Sequence, residues 1–218
     1  MTLRSPHSAT ASPKASLRWQ RPLLALALAA GAASSLTGCV ALIGGAAVGG
    51  ALMYNDRRTS GTQIEDESIE LKAGRRAGEA LGDKGHVNVT SYNRLVLITG
   101  EVPEDADKEA VGKAVAGIDS VVKVQNELEV GFTSSVTSRM NDTAITSKVK
   151  ASLVDAKDLQ SNAIKVVTEK GAVFLMGLVT EREATRASEV ARGVSGVKKV
   201  VRVFQVLTDD ELAHIQTR

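Results

Sequence analysis

The chain has 218 residues, with 27 Lys and Arg against 25 Asp and Glu, and aromatic residues make up 3% of it. Four of the basic residues lie in the first 21 positions, where there is no acidic residue. If this segment is cleaved as predicted below, 27 − 4 = 23 basic and 25 acidic residues remain, a net charge of −2. The basic balance therefore gives no reason to expect nucleic acid as a partner, and the scarcity of aromatic residues argues against base stacking.

The N-terminal segment has the features of a secretory signal. A basic stretch precedes the apolar run PLLALALAAGAAS, which is long enough for a signal peptide but short of the about 20 residues that span a bilayer. The run ends in Leu36-Thr37-Gly38-Cys39, and Cys39 is the only cysteine in the chain. This arrangement resembles the lipobox of bacterial lipoproteins, which predicts that residues 1–38 are a signal peptide and that Cys39 is lipidated. The alternatives are a signal cleaved elsewhere, which leaves Cys39 free, and a catalytic cysteine, which lacks a neighbouring His or acid.

Lipidation at Cys39 determines where the protein acts. Two or more acyl chains anchor a protein stably, whereas one chain gives only marginal membrane binding. Val40 follows the cysteine; in bacterial lipoproteins an Asp at that position favours inner-membrane retention, so we expect the periplasmic face of the outer membrane. Residues 39–63 are rich in Gly and Ala and then polar, and we predict a lipidated tether there. The alternative is that residues 40–53 form a helix that pairs with another chain.

The rest of the chain contains an internal repeat. Residues 86–102 and 163–179 align with each other, and each consists of two short β-rich runs around a polar turn, which is typical of a hairpin. Each hairpin is followed by an Ala-rich amphipathic stretch and then by a run that alternates apolar and polar residues, at 116–130 and 192–206. Another helical stretch precedes each hairpin. The pattern therefore predicts two α+β units, each ordered helix, strand, strand, helix, strand.

Two details of the repeat carry further predictions. In the second unit Asn141 or Asp142 is the expected N-cap of the first helix. Gly100 and Gly177 occupy equivalent positions, where we predict a close approach of backbones or a bulge. The predicted division of the chain is a signal peptide (1–38), a tether (39–63), a first unit (64–131), a linker (132–138), a second unit (139–207) and a C-terminal tail (208–218).

This repeat, with the pattern Val-x-x-Val-x-x-x-Leu/Phe-x-Val ending each unit, resembles the BON domain. The segments NDTAITSKVKASL, GAVFLMGLVTEREAT and VSGVKKV are especially similar to the dual BON-domain lipoproteins of Gram-negative outer membranes. The resemblance implies two tandem BON domains, each with a three-stranded mixed sheet covered by two helices. It also implies a palmitate-bearing, non-enzymatic lipoprotein that binds anionic phospholipid (phosphatidylglycerol, cardiolipin) and supports outer-membrane integrity. A link to the outer-membrane protein assembly machinery and enrichment at the division site are further implications.

The charge distribution agrees with binding to an acidic surface. Residues 64–130 carry 8 basic and 14 acidic side chains, whereas residues 139–207 carry 12 basic and 7 acidic ones. The net charges are therefore −6 and +5. Each basic residue close to an anionic membrane contributes about 1 kcal/mol of binding free energy, within a Debye length of roughly 8 Å. The alternative is that the lysines of the second unit only solvate its surface.

In the family the first helix of the second domain meets the lipid. Dual BON-domain lipoproteins have an aromatic residue where this chain has Ala144, so we expect its binding to be more electrostatic and more sensitive to salt. Lys198, Lys199 and Arg202 form a second, weaker candidate cluster. The residues carried over from the resemblance as a phospholipid-binding site are Arg139, Thr143, Ala144, Ile145, Ser147, Lys148, Lys150 and Ala151.

The sequence offers little support for catalysis or for a cofactor. His86 and His214 are the histidines that remain after cleavage, and neither has the spacing of a metal ligand. No nucleophile, base and orienting group occur together in a recognisable motif, so we expect a protein that is not an enzyme and needs no metal or cofactor. The alternatives are a protein-interaction scaffold for an envelope assembly or cell-wall remodelling complex, and a cryptic hydrolase.

Overall fold

The computed structural model describes residues 56–216. Cys39, the predicted signal peptide and residues 39–55 of the predicted tether lie outside the described residues. Within the described part, the order of elements in both units is helix, strand, strand, helix, strand, which confirms the predicted α+β fold of two tandem units.

The first unit begins with a long helix that continues without a break through Gly74 and Gly78. Apolar and small side chains recur along its inner face at Ile69, Ala73, Ala77 and Leu81, and their burial outweighs the weak helix propensity of glycine. Strands β1 and β2 are antiparallel, and β3 and β4 are two short pieces that pair with β2 in parallel. The elements are α1 (Ser60–Leu81), β1 (His86–Tyr92), β2 (Leu95–Val102), α2 (Asp105–Ala116), β3 (Lys123–Asn126) and β4 (Glu129–Val130).

The second unit repeats this plan with a continuous last strand. Strand β6 pairs with β5 in antiparallel and with β7 in parallel, so it is the centre of a three-stranded sheet of order β5-β6-β7. Its sequence AVFLMGLVT is almost entirely apolar because both of its faces are covered. The elements are α3 (Val136–Asp155), β5 (Ile164–Glu169), β6 (Ala172–Thr180), α4 (Glu181–Arg192), β7 (Lys199–Leu207) and a final α5 (Asp209–Gln216).

Three apolar cores hold the described part together. Each unit has a core between its two helices and one face of its sheet. The opposite faces of the two sheets pack against each other in a third core, which both units share. A small single unit buries too little apolar surface to be more than marginally stable, and the shared core increases that burial. The residues of the shared core are Tyr92, Leu95 and Leu97 from the first unit and Phe174, Met176, Leu178 and Val203 from the second.

Three predicted boundaries differ from the structure. Helix α3 begins at Val136, inside the predicted linker, and its N-cap is Ser135, whose hydroxyl accepts a hydrogen bond from the Ser138 amide. The cap predicted at Asn141 or Asp142 is therefore wrong. Helix α1 begins at Ser60, so the last residues of the predicted tether belong to the folded part. The predicted tail contains α5, which starts with a turn of acidic residues suited to a helix N-terminus.

The predicted close approach at the two equivalent glycines is confirmed. Gly100 has φ +118°, and a Cβ there would collide with the carbonyl oxygen of His86 on the neighbouring strand. At Gly177 a Cβ would meet the carbonyl oxygen of Ala163 in the same way. In both units, therefore, the end of the central strand passes its antiparallel partner at a distance that only glycine allows.

Candidate functional site

Helix α3 is fixed to its unit along one side. Ile145, Val149 and Leu153 point into the core, each about 1% exposed or less. Asp142 on the same side is 5% exposed, and its carboxylate accepts hydrogen bonds from the backbone amides of Lys170 and Gly171 at 2.9 and 2.8 Å. The residue predicted as a helix cap instead holds the β5–β6 turn. The opposite side of α3 is consequently presented outward in a fixed orientation.

The first unit uses the same device. The Asp66 carboxylate of α1 accepts hydrogen bonds from the amides of Asn93 and Arg94 at 2.7 and 2.8 Å, in the β1–β2 turn. Burial alone would raise the pKa of Asp66, but the hydrogen bonds from Ser91, the Arg94 amide and the Arg58 guanidinium outweigh it and lower that pKa. A buried Asp that ties the first helix to the hairpin turn is thus a feature of both repeats.

Seven of the eight residues carried over from the resemblance are on the outside of α3 or at its edge. Arg139 is half-buried, and Ile145 is the exception, since it lies in the core and its side chain cannot reach a ligand at the surface. The Thr143 and Ser147 hydroxyls donate to the carbonyl oxygens one turn earlier, at 3.0 Å each. The exposed members are Thr143, Ala144, Ser147, Lys148, Lys150 and Ala151.

The structure adds exposed apolar residues that were not part of the predicted site. Val136, Met140 and Val154 are 67%, 68% and 63% exposed on α3, and Phe132, just before the helix, is 99% exposed. At about 100° per residue, Met140, Ala144 and Ala151 lie on one line, with Val136 and Val154 beside it. The helical spacing of these residues is the signal in the sequence that indicates a common face. It can be recognised only if α3 is known to begin at Val136. We call Val136, Met140, Ala144, Ser147, Ala151 and Val154 the outer face of α3.

Lysines border this outer face on both sides. The same helical geometry places Lys148 at the margin on the side of Ile145, and Lys150 at the opposite margin, towards β5. Lys150 lines a groove with Leu153, Val154 and Ile164, in agreement with that placement. Among residues 56–216, neither lysine takes part in an ion pair or hydrogen bond. An apolar strip between two exposed cations is an arrangement typical of helices that lie in a membrane interface.

The other basic residues of the second unit divide into paired and unpaired ones. Arg202, assigned by sequence to a second cluster, donates to the Ser188 hydroxyl at 3.0 Å and to Glu181 at 3.1 Å. Lys165 is paired with Glu70 at 2.8 Å across the two units. Arg202 is therefore paired and is not a free cation of the second cluster. Lys198 and Lys199 remain in that cluster and are exposed at the surface.

Two general properties of the described part bear on the chemistry it can perform. In residues 56–216 no three His, Cys, Asp or Glu side chains are grouped as they would be to hold a metal ion. The described helices include none with the length and apolar character needed to cross a bilayer.

Comparison with known proteins identifies the class of the molecule. Residues 65–131 and 141–208 each match the BON domain. The chain belongs to the BON-domain family and carries two tandem copies of the domain.

Similarity to individual proteins is more specific. The chain is 39% identical over 189 residues to "Outer membrane lipoprotein DolP" of Haemophilus influenzae, covering 85% of this chain and 97% of the relative. It is 34% identical to a "21 kDa hemolysin" of Actinobacillus pleuropneumoniae, over 68% of this chain and 78% of the relative. It is 33% identical to "Osmotically-inducible protein Y" of Escherichia coli, over 52% of this chain and 58% of the relative. These comparisons support an outer-membrane lipoprotein of the BON family.

Proposed function

We propose that this protein is anchored by a lipid at Cys39 to the periplasmic face of the outer membrane and binds anionic phospholipid through the outer face of α3. The observation that carries the proposal is the apolar strip of α3 between Lys148 and Lys150, two cations without a partner in the described structure. The role is one of binding, not of catalysis. Support of outer-membrane integrity, action beside the outer-membrane protein assembly machinery and enrichment at division sites extend the proposal to the cell.

The strength of this interaction suits an anchored protein. Lys148, Lys150 and the half-buried Arg139 together supply about 3 kcal/mol at an acidic membrane. That free energy alone corresponds to a dissociation constant of several millimolar. A tether raises the local concentration of its domain to the millimolar range, which makes such a weak contact significant. The lipid anchor and the outer face of α3 therefore act together.

Binding to liposomes tests the proposal. The soluble fragment 56–218, which retains every contact described above, is sedimented with vesicles of increasing phosphatidylglycerol or cardiolipin content. Pelleting should increase with the anionic fraction and decrease with added salt, because the contacts are largely electrostatic. The double change Lys148→Glu and Lys150→Glu should reduce pelleting at least severalfold. The matched double change Lys72→Glu and Lys113→Glu, at exposed positions of the acidic unit, should leave it unchanged. Equal pelleting with neutral and anionic vesicles would contradict the proposal.

The second candidate function is a protein-interaction scaffold that does not bind lipid directly. It is favoured by the outward side of α1, where Ile64 and Leu71 are 68% and 78% exposed on the acidic unit. Replacing Leu71 by Gln should then impair function in cells without altering the binding of the fragment to liposomes. If instead the Lys148 and Lys150 changes abolish both function and lipid binding, the scaffold alone is insufficient.

A further inference from the structure

A second group of exposed cations lies beside α3, in the loop between α4 and β7. Arg192 ends α4, and Lys198 and Lys199 lead into β7. All three are exposed, and within residues 56–216 none of them takes part in an ion pair or a hydrogen bond through its side chain. With Val197 and Val200 they line an open cleft of about 280 Å³. No acidic side chain contributes to this lining. We call Arg192, Lys198 and Lys199 the basic loop cluster.

The position of this cluster is fixed by contacts with α3 and with the β5–β6 turn. The Lys198 amide donates to the Gly171 carbonyl at 2.9 Å, and the Lys198 stem lies across Gly171. Gly196, with φ +98°, packs against the Ile145 side chain of α3. Because Gly171 is also hydrogen-bonded to Asp142, the loop, the turn and α3 form one connected surface.

The cluster adjoins one particular margin of α3. The Ile145 side chain of α3 contacts Gly196 in the loop. Lys148 follows Ile145 by about one helical turn, so it lies on the same flank of α3, next to the loop. The three cations of the loop therefore continue the basic margin that starts at Lys148.

Comparison of the two repeats shows that the fold does not require two of these cations. In the aligned repeats Arg192 corresponds to Ala116 and Lys198 to Val122, and Lys199 alone has a basic counterpart, Lys123. The two last strands have the same register, since Lys123 pairs with Leu95 as Lys199 pairs with Ala172. The first unit forms the same loop with Asp119 in it and no net charge, whereas the loop of the second unit carries three positive charges. Arg192 and Lys198 are thus specific to the second unit.

We propose that the basic loop cluster is a second contact site for the phosphate headgroups of acidic phospholipids. It rests on the proposed function of α3 and deepens it. A single interfacial helix leaves the domain free to roll about the helix axis, whereas a second cationic contact beside Lys148 limits that rotation. The second unit then meets the bilayer with α3 and the loop together, and the Lys148 margin lies deeper in the headgroup layer than the Lys150 margin.

The experiment uses the full lipidated chain reconstituted in vesicles of phosphatidylcholine with and without phosphatidylglycerol. Cys39 is acylated in that protein, so an engineered cysteine at Ser195, in the loop, is the free thiol to which an environment-sensitive fluorophore is attached. With phosphatidylglycerol the fluorescence should shift to the blue, and Lys198→Glu with Lys199→Glu should abolish the shift. The matched change Lys157→Glu with Arg182→Glu, two exposed cations elsewhere on the second unit, should preserve it. Circular dichroism of each variant confirms that it is folded, and the milder Arg192→Gln variant should reduce the shift in part.

A second label distinguishes this proposal from that for α3. A fluorophore at Ser147 reports on the outer face of α3, and its shift should persist in the Lys198 and Lys199 variant, reduced by about half or less. If the loop label does not respond to phosphatidylglycerol while the Ser147 label does, the loop proposal is overturned and the function of α3 stands. If the loop label responds and the Ser147 label does not, the proposed function of α3 fails instead. Inorganic phosphate at the same anion concentration should not shift the loop label; a shift with phosphate alone would indicate a site for free anions and overturn the lipid assignment.

Discussion

Arg57 and Glu183 form a buried pair in which two guanidinium nitrogens donate to the two carboxylate oxygens, both at 2.8 Å. Their side chains are 4% and 8% exposed. Arg57 also donates to the Leu178 carbonyl at 2.7 Å and to Gln160 at 3.0 Å. Arg57 precedes the first unit in the sequence, yet all four hydrogen bonds go to the second. The end of the predicted tether therefore joins the two units.

Replacement of Arg57 by Ala should strongly destabilise the protein. It leaves Glu183 buried without its partner, and breaking such a pair costs about 3–5 kcal/mol of unfolding free energy. Urea denaturation of the fragment 56–218 measures the change. Arg76→Ala, at an exposed position of α1, should change the unfolding free energy by less than about 0.5 kcal/mol. A loss of below about 1 kcal/mol in the Arg57 variant would show that the pair does not hold the units together.

The stability of the protein should decrease in acid. The Arg57 guanidinium lowers the pKa of Glu183 against the effect of burial. Burial by itself would raise the pKa of Glu101, but hydrogen bonds from Ser134 and the charge of Lys170 outweigh it and lower that pKa. A carboxyl with a lowered folded-state pKa contributes its full stability above its ordinary pKa of about 4, and loses it as the pH falls through the lowered value. The unfolding free energy should therefore be constant near neutral pH and fall steeply below about pH 4. The slope should be smaller in Glu101→Gln, and an unchanged slope would contradict the assignment.

Glu169 should have the opposite effect. Burial raises its pKa, the hydrogen bond from Asn88 opposes this, and the charge of Glu101 adds to the increase. The folded protein favours the protonated form, so the contribution of Glu169 is full below its ordinary pKa and is lost as the pH rises through the raised value. Glu169→Gln mimics the protonated form and should increase the unfolding free energy at pH 7 by about 1 kcal/mol. At pH 4 the variant and the unaltered protein should differ little, which is the internal control.

Much of this architecture could be predicted from the sequence because it depends on short-range periodicity. The β-rich runs of β5 and β6 around a polar turn and the Thr180 cap of α4 are local signals, and the capping box at Thr180 and Glu183 is present. The repeat itself gave the order of elements. The structure places Ile145 on the inner side of α3, which conflicts with its assignment to the lipid site by resemblance.

The parts that could not be predicted depend on contacts between distant residues. Asp142 has the composition of a helix cap, and its actual partners in the β5–β6 turn are 28 and 29 residues away. With Asp142 interpreted as a cap, the sequence predicts a start of α3 that is too late. The exposed strip from Val136 to Val154 is then not recognised as one face of a single helix. Arg57 lies in a polar segment that looks like a tether, and its burial follows from a carboxylate 126 residues later.

The equivalent glycines provide a test of backbone strain. In Gly100→Ala a residue with a side chain must adopt φ +118°, and the His86 carbonyl must move to make room for the Cβ. The substitution should therefore lower the unfolding free energy by about 1–3 kcal/mol or more. Gly74→Ala is a suitable contrast, because this mid-helix position is open to solvent. It should stabilise α1 by up to about 1 kcal/mol. Thermal denaturation of the two variants should therefore show changes of opposite sign, and a stable Gly100→Ala variant would mean that the two strands can separate without cost.

The outer face of α3 allows a gain of lipid binding to be engineered. Ala144 is exposed in the middle of the apolar strip, so the proposed function predicts that a tryptophan there projects its ring towards the headgroup layer without entering the core. Ala144→Trp should therefore increase sedimentation of the fragment with anionic vesicles severalfold, and the bound fraction should become less sensitive to salt, because the added free energy is not electrostatic. Thr185→Trp on α4 controls for a nonspecific effect of an added aromatic residue. Tryptophan emission provides an independent measurement, since the Ala144→Trp ring should shift to the blue with vesicles and the Thr185→Trp ring should not. A salt dependence as steep as that of the unaltered fragment would show that position 144 does not meet the lipid, and would place the contact at the lysine margins alone.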